Sequence, residues 1–454
     1  MAKTDLVVVV PGIMGTTLAH RGNLVWEPSA GAVLRAISTL GRSIKHLRLP
    51  DDLGDEHPDD DVTPVALMPD LHVIPGLWTP LQGYTRLLAH MNKLAAKDGI
   101  GKVVTFPYDW RLSNRYNATR LAHLVGDELG AWRDSHPERA AARVSFVCHS
   151  MGGLIARWYI EHHGGHEHTK ALITIGTPYR GAAKAVDQLV NGVRKGIGPF
   201  AVDVTDFARS LPSTHQLLPD YACIQHSGGL HRLDEITLPD LDTRKLTDGL
   251  AFHHQLTAAE TARPAGRDTT HTIIGIRQTT PTTLRLDQHR LEVLDTIDGD
   301  NDYGDATVPL TGALRHDLHP DTNRVRRIVE THGALQNHPG VLDEIESILT
   351  APVRRRATHT VSVRITAPEL LLPGEPLTAT IDIEPGDHRT PAIQTRLISE
   401  NGTDTYPPQR PRIRNNQAHL TYPPPPPGAH TLHITGITAT APITPITHTL
   451  LTWQ

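Results

Sequence analysis

The stretch that decides the fold is Val-Ser-Phe-Val-Cys-His-Ser-Met-Gly-Gly, residues 144–153. Residues 144–147 predict a short buried strand, and the segment 153–162 predicts an amphipathic helix. A serine between such a strand and helix lies on a tight turn that exposes its hydroxyl at the end of a sheet. The residues two before and two after it must be small, because the strand and the helix approach closely. Gly152 is small enough, and Cys148 replaces the usual glycine. We therefore predict that Ser150 is a nucleophile.

Short apolar runs alternate with longer helical segments over the first 350 residues. Strands are predicted at 6–10, 103–106, 144–147, 171–175 and 272–276, and helices at 84–97, 117–135 and 153–162. This alternation predicts an α/β fold class, with a mostly parallel sheet and helices on both of its faces. We expect one catalytic domain over residues 1–350. Two insertions, around 20–80 and 190–265, are expected to cap the active site, although plain surface elaboration is an alternative.

A second domain is predicted at residues 357–454, where helix-forming residues become rare. Apolar and polar residues alternate at 361–365 and 377–383, and turn signals separate the runs. Short strands with regular turns predict a C-terminal β-sandwich of immunoglobulin-like type. The five prolines at 423–427 are expected to form a stiff turn between strands, and a polyproline ligand for a protein partner is the alternative.

Composition excludes several classes of function. The net charge is −5, and no basic run points to a nucleic acid partner. Two cysteines, Cys148 and Cys223, provide neither a disulfide framework nor a thiolate cluster for a metal. The apolar run at 6–10 is too short for a signal peptide, and no stretch approaches the ~20 apolar residues of a membrane helix. We expect a cytoplasmic protein that makes at most transient contact with a membrane surface.

A serine nucleophile needs a base and an acid to orient that base. In this fold they follow the serine in the order acid, then histidine. Asp305 lies in Gly-Asp-Ala-Thr-Val-Pro (304–309), after the strand at 272–276, and His332 follows a short strand predicted at 327–330. The chain has 29 histidines, so position alone leaves His338 as a rival to His332.

The turn after the first strand is a candidate oxyanion hole. Val-Pro-Gly-Ile-Met-Gly (10–15) can direct backbone N–H groups at a developing negative charge. The N–H of Met151, directly after the nucleophile, is expected to be a second donor. An ordinary turn after a strand is the alternative for 10–15.

Together these motifs give the chain a resemblance to the lecithin-cholesterol acyltransferase-like lipases and acyltransferases. The resemblance spans residues 5–350 and rests on their order and spacing: PGIMG (11–15), FPYDWR (106–111), CHSMGG (148–153), GTPYRG (176–181), GDATVP (304–309) and the helix after His332. It implies the α/β-hydrolase fold, with Ser150 as the nucleophile, Asp305 as the acid and Ile13 as the first oxyanion donor. It also favours His332 over His338, because apolar residues follow His332 at the same offsets as in the helix after the family's histidine. Cys148 and the absence of an evident disulfide pair in the first insertion depart from the family pattern, as does the sandwich.

The predicted function is that of a serine esterase, lipase or O-acyltransferase that acts on a lipid ester. A catalytically idle, effector-like protein that uses the fold as a scaffold remains open, with the sandwich as a surface for a protein partner. A hydrolase of non-lipid esters also remains open. The histidine-rich run 161–168 and the acidic run 298–302 are weak metal motifs, and we expect no metal and no cofactor.

Overall fold

The computed structural model divides the chain into two units, Met1–Thr350 and Ala351–Gln454. It describes residues 5–26, 47–70, 83–97, 99–195, 202–263, 269–287, 290–318, 322, 324–350, 363–368, 370–383, 392–399, 403–437 and 446–452.

The strands of the first unit are, in chain order, β1 (Leu6–Val10), β2 (Thr16–His20), β3 (Asn23–Trp26), β4 (Val62–Leu67), β5 (Val103–Thr105), β6 (Val144–His149), β7 (Thr169–Ile175), β8 (Arg194–Lys195), β9 (Val202–Asp203), β10 (Ile224–His226), β11 (Gly229–His231), β12 (Thr270–Gly275), β13 (Thr283–Asp287), β14 (Arg290–Leu294), β15 (Thr296–Ile297), β16 (Asp300–Asn301) and β17 (Val325–Ile328).

The α-helices of this unit are α1 (Thr85–Ala96), α2 (Asn114–Asp134), α3 (Met151–His162), α4 (Ala183–Val190), α5 (Thr205–Ser210), α6 (Pro212–His215), α7 (Thr243–Ala262), α8 (Leu310–Ala313) and α9 (Pro339–Thr350). Short 3-10 turns occur at Pro137–Arg139, Gly165–Glu167 and Leu335–Asn337.

Six strands form the central sheet, in the order β17-β12-β7-β6-β1-β5, and every neighbouring pair is parallel. The strand predicted at 327–330 lies two residues earlier, because Val325 to Ile328 pair with residues 272–275 of β12. The α/β fold class predicted from the sequence, with a parallel sheet and helices on both faces, is confirmed.

Alternate residues of β1 enter two different apolar cores. Val8 and Val10 pack with residues of α2 and α3 on one face of the sheet. Val7 and Val9 pack with residues of α1 and α9 on the other face. Because side chains alternate along a strand, an entirely apolar strand can fill both layers. This explains why residues 6–10 contain no polar residue.

The two insertions contribute separate small elements. In the first, β3 and β4 pair with β2, which directly precedes the insertion, in an antiparallel sheet of order β3-β2-β4. The second includes β8 to β11 and helices α5 to α7, and its strand β10 joins a four-stranded sheet with β11, β13 and β14.

The second unit contains β18 (Val363–Thr366), β19 (Leu370–Leu371), β20 (Leu377–Ile383), β21 (Ile393–Ser399), β22 (Gln417–Tyr422), β23 (Gly428–Gly436) and β24 (Ile446–Thr452). Their sheet orders are β18-β20-β22 and β19-β24-β23-β21. Inward residues of both sheets pack together in two apolar clusters, one with Leu377, Leu397 and Leu432 and the other with Ile381, Ile393 and Ile434. This arrangement confirms the predicted β-sandwich, in which the described strands divide three and four between the two sheets. The pair β19 and β24 is parallel. Residues 423–427 connect β22 to β23.

Candidate active site

Ser150 lies on a strained turn between β6 and α3. Its backbone has φ 53° and ψ −126°, a region that residues with a side chain rarely adopt. The N–H of Ser150 donates to the carbonyl of Ile175 at 2.8 Å, and its own carbonyl accepts from the hydroxyl of Thr177 at 2.9 Å. Neighbouring β7 and the loop after it therefore hold the turn in its strained form.

Close approach of α3 to β1 explains the glycines after Ser150. A Cβ at Gly152 would collide with the carbonyl oxygens of Pro11 and Val10, and a Cβ at Gly153 would overlap Thr177. Cys148 is fully buried in the core, and burial raises the pKa of its thiol well above the usual value. Its small side chain fills the position where glycine was expected and carries no charge.

The structure brings Ser150, His332 and Asp305 together, although 182 residues separate the first two. Nε2 of His332 lies 2.8 Å from Oγ of Ser150, and Nδ1 of His332 lies 2.7 Å from Oδ2 of Asp305. An ionised carboxylate only accepts, so Nδ1 carries the proton and Nε2 is free to accept the serine proton. The arrangement can therefore transfer a proton from the serine hydroxyl to the imidazole.

Asp305 is held by its own loop. Its Oδ1 accepts from the N–H groups of Thr307 and Val308 at 3.0 and 2.7 Å, which leaves Oδ2 for His332. The hydroxyl of Thr280 accepts from the N–H groups of Gly304 and Ala306 at 3.1 and 2.9 Å. These bonds explain why a Gly-Asp-Ala-Thr-Val-Pro loop fixes a carboxylate in one orientation.

His338, the rival histidine, lies at the start of α9. Its Nδ1 accepts from the N–H of Gly340 at 3.1 Å, which is how a side chain caps the first turn of a helix. Its position therefore indicates a structural role.

The loop after β1 packs directly against the nucleophile. A Cβ at Gly12 would lie 2.9 Å from Cβ of Ser150, so only glycine permits this approach. Ile13 follows Gly12, and Met151 follows Ser150. Within the described ranges, the N–H groups of Ile13 and Met151 make no hydrogen bond. Two unpaired donors that flank a serine can stabilise an oxyanion.

Four aromatic side chains brace this loop, which we define as residues 11–16 and call the oxyanion loop. Each makes a hydrogen bond with one of its main-chain groups. The hydroxyl of Tyr108 donates to the carbonyl of Pro11 at 2.9 Å, and the indole N–H groups of Trp26 and Trp110 donate to the carbonyls of Met14 and Thr16 at 3.2 and 3.1 Å. The fourth, Tyr84, accepts from the N–H of Gly12 at 2.7 Å.

The FPYDWR motif supplies two of these braces and a buried charge cluster. The Arg111 guanidinium is fully buried and pairs with Asp109 and Asp60, at 2.7 Å for the shortest contact to each. It also donates to the carbonyl of Leu47. The cluster therefore ties the first insertion to the loop that holds Tyr108 and Trp110.

Sequence reasoning missed two residues of the site, His149 and Tyr84. Nδ1 of His149 lies 2.8 Å from the hydroxyl of Tyr84, and its Nε2 lies 3.1 Å from the main-chain carbonyl of His332. Burial lowers the pKa of His149 to about 3, and the nearby His332 opposes a second positive charge. His149 is therefore neutral near neutral pH. Its place directly before the serine is the one signal in the sequence that pointed to it, whereas Tyr84 had none.

In the described ranges, no group of three or more metal-ligating side chains is arranged to hold an ion. No helix there is both long enough and apolar enough to cross a membrane.

A family model, lecithin:cholesterol acyltransferase, matches residues 80–254. The match confirms the predicted resemblance to lecithin-cholesterol acyltransferase-like lipases and acyltransferases, and it supports an esterase or acyltransferase as the general class of enzyme. It includes FPYDWR and CHSMGG, while PGIMG, GDATVP and His332 lie outside it. Comparison with curated protein sequences found no match.

Solved structures with some similarity to this chain include a lipase and two smaller proteins or domains. The Bacillus licheniformis lipase BlEst2 in mature form is 12% identical, with a TM-score of 0.37, over 77% of this chain and 93% of its own. CopC from Methylosinus trichosporium OB3b is 8% identical, with a TM-score of 0.17, over 20% of this chain and 93% of its own. A CARDB domain from Pyrococcus furiosus, in complex with di-metal ions, is 15% identical, with a TM-score of 0.16, over 20% of this chain and 86% of its own.

Proposed function

We propose that this protein, which resembles the lecithin-cholesterol acyltransferase-like enzymes, is a serine esterase, lipase or O-acyltransferase that acts on a lipid ester. Ser150 is the nucleophile, His332 the general base and Asp305 the residue that orients it. The observation that carries the proposal is the pair of contacts at His332, 2.8 Å to the Ser150 hydroxyl and 2.7 Å to the Asp305 carboxylate.

The reaction begins when Oγ of Ser150 attacks the ester carbonyl carbon and its proton moves to Nε2 of His332. The carbonyl oxygen becomes an oxyanion, which the N–H groups of Ile13 and Met151 stabilise. Collapse of this intermediate breaks the ester bond, and the imidazolium returns the proton to the leaving alcohol. An acyl group then remains on Ser150.

Water or a second alcohol resolves the acyl-enzyme. His332 removes a proton from the acceptor, the acceptor oxygen attacks the acyl carbon, and Oγ of Ser150 leaves with the proton. Water gives a free acid, and an alcohol gives a new ester. The same residues therefore serve hydrolysis and transfer.

Labelling with a fluorophosphonate probe tests the nucleophile. The wild-type protein is expected to react at Ser150, and Ser150→Ala is expected to lose both the label and the turnover of p-nitrophenyl esters. Ser135→Ala, a substitution at the exposed end of α2, is the matched control and keeps both. Equal labelling of Ser150→Ala and wild type would refute the proposal.

Two further measurements distinguish hydrolysis from acyl transfer, and a lipase from a hydrolase of non-lipid esters. Lipidomics of the enzyme with mixed phospholipids distinguishes hydrolysis, which yields lysophospholipid and free fatty acid, from transfer, which yields a new ester. A series of short-chain and long-chain p-nitrophenyl esters distinguishes a lipase from a hydrolase of other esters. The long-chain esters are expected to be the better substrates.

A further inference from the structure

A chain of three hydrogen bonds links the oxyanion loop to the base histidine. The N–H of Gly12 contacts the hydroxyl of Tyr84 at 2.7 Å, this hydroxyl contacts Nδ1 of His149 at 2.8 Å, and Nε2 of His149 contacts the carbonyl of His332 at 3.1 Å. We call Tyr84 and His149 the Tyr84–His149 bridge.

The direction of every bond in the bridge is fixed by chemistry. The carbonyl of His332 only accepts, so Nε2 of His149 must carry a proton and donate it. A neutral imidazole then accepts at Nδ1, where Tyr84 donates its single O–H. The hydroxyl oxygen in turn accepts from Gly12. For a neutral imidazole, no other arrangement of protons satisfies all three contacts of the bridge.

The surroundings keep the bridge in this state. Tyr84 and His149 are 4% and 7% exposed, and the rings of His149 and His332 lie 5.1 Å apart. The titratable groups that face His149 are Tyr84, His332 and Asp305. Burial raises the pKa of Tyr84 above its usual value. The bridge therefore stays uncharged while its neighbour His332 gains and loses a proton.

We propose that the Tyr84–His149 bridge is a positioning device that couples the oxyanion donors to the base. It holds the peptide that joins Pro11 to Gly12, directly before the N–H of Ile13, and it fixes the main chain of His332. The N–H of Ile13 and Nε2 of His332 are thereby aligned on the same ester group. This inference rests on the proposed function. Small displacements of such groups reduce rates strongly, because reaction depends on close alignment.

Kinetics of bridge variants test the coupling. Tyr84→Phe removes one hydroxyl, and His149→Leu removes both imidazole contacts. We expect each to lower kcat about 10- to 100-fold with KM nearly unchanged. The double variant is expected to be little worse than either single one, because the bridge acts as a unit. His149→Gln, which keeps one donor and one acceptor, is expected to recover part of the loss.

Tyr221→Phe is the matched control, since it removes another buried hydroxyl, bonded to the carbonyl of Thr282 at 3.3 Å. Its kcat is expected to equal that of wild type. If Tyr84→Phe behaves like Tyr221→Phe, or if the bridge variants raise KM instead of lowering kcat, the coupling is refuted.

NMR of ¹⁵N-histidine provides a readout that needs no turnover. We expect His149 to remain a neutral, Nε2-protonated imidazole between about pH 5 and pH 8, where an ordinary histidine titrates, and its Nδ1 signal to shift in Tyr84→Phe. Titration of His149 in this range, or an Nδ1–H tautomer, would overturn the bridge itself. Ser150→Ala, measured in the same assays, separates the two proposals: if it stays active, the proposed function fails, whereas the NMR result still decides the bridge.

Discussion

His332 and Asp305 are joined twice. Nδ1 of His332 lies 2.7 Å from Oδ2 of Asp305, and the main-chain N–H of His332 donates to the main-chain carbonyl of Asp305 at 2.8 Å. The backbone bond sets the distance between the two loops, and the side-chain bond sets the rotation of the imidazole. Together they direct Nε2 towards Ser150 before any substrate binds, which lowers the cost of organising the site.

Asp305→Asn is expected to lower kcat for p-nitrophenyl esters by roughly 10⁴-fold, as the corresponding change does in Ser-His-Asp proteases. The amide N–H₂ can take the place of Oδ2 and donate to Nδ1, so the proton of His332 moves to Nε2, which can then no longer accept from Ser150. Asp302→Asn is the control, because Asp302 accepts from the N–H of Thr311 at 2.7 Å outside the three-residue site. A similar loss in both variants would argue against a specific role for Asp305.

His332→Ala and His338→Ala are expected to separate catalysis from stability. The first removes the base, so turnover should fall by several orders of magnitude while the unfolding free energy changes little. The second removes a helix cap, which costs about 0.5–2 kcal/mol of stability and leaves kcat near the wild-type value. Ester turnover and urea unfolding measure the two effects. Loss of turnover in His338→Ala alone would reverse the assignment of the base.

Gly152→Ala and Gly126→Ala are expected to have opposite effects on stability. A methyl group at Gly152 collides with the carbonyl of Pro11, so α3 must move away from the oxyanion loop, and both stability and labelling by fluorophosphonate should fall. Gly126 lies within α2 with nothing near its missing Cβ. Alanine there should stabilise the protein by about 0.4–1 kcal/mol. Urea unfolding checks both values, and an unchanged Gly152→Ala would contradict the tight turn.

Arg111→Ala is expected to destabilise the protein by about 3–5 kcal/mol, because it leaves the buried carboxylate of Asp109 uncompensated. Asp109 is 4% exposed and has no second arginine among its described contacts. Urea unfolding at neutral pH provides the measurement. Arg120→Ala, which removes an exposed arginine of α2, is the control and should cost little. Equal losses in the two variants would refute the role of the buried cluster.

The lowered pKa of Asp60 makes the unfolding free energy depend on pH. Burial alone would raise the pKa of Asp60, but the hydrogen bond and charge of Arg111 outweigh burial and hold this pKa below 3.8. The ion pair therefore contributes fully above the unfolded pKa, and its contribution is lost as the pH falls through the lower folded value. We expect the unfolding free energy to decrease less between about pH 5 and pH 3 in Asp60→Asn than in wild type. An equal decrease in both proteins would contradict this assignment.

The sequence by itself determined the local elements. Five apolar residues can fill both faces of a sheet, so residues 6–10 could be assigned to a buried strand from their side chains alone. The strand, the tight turn and the helix around Ser150 are also local, and the family match over residues 80–254 supports the class of fold that they predicted. The period of the apolar residues and the spacing of the motif carry this information, because the residues that make up a strand, turn or helix are close together in the sequence.

Tertiary structure alone decided which distant groups meet. The sequence offered 29 histidines, and the motif offsets favoured His332. Only the order of strands in the central sheet, β17-β12-β7-β6, brings the loops that hold His332, Asp305 and Ser150 together. Tyr84 carries no local signal, because its partners Gly12 and His149 lie 72 and 65 residues away. Hydrogen bonds of that kind depend on distances through space, which sequence spacing does not encode.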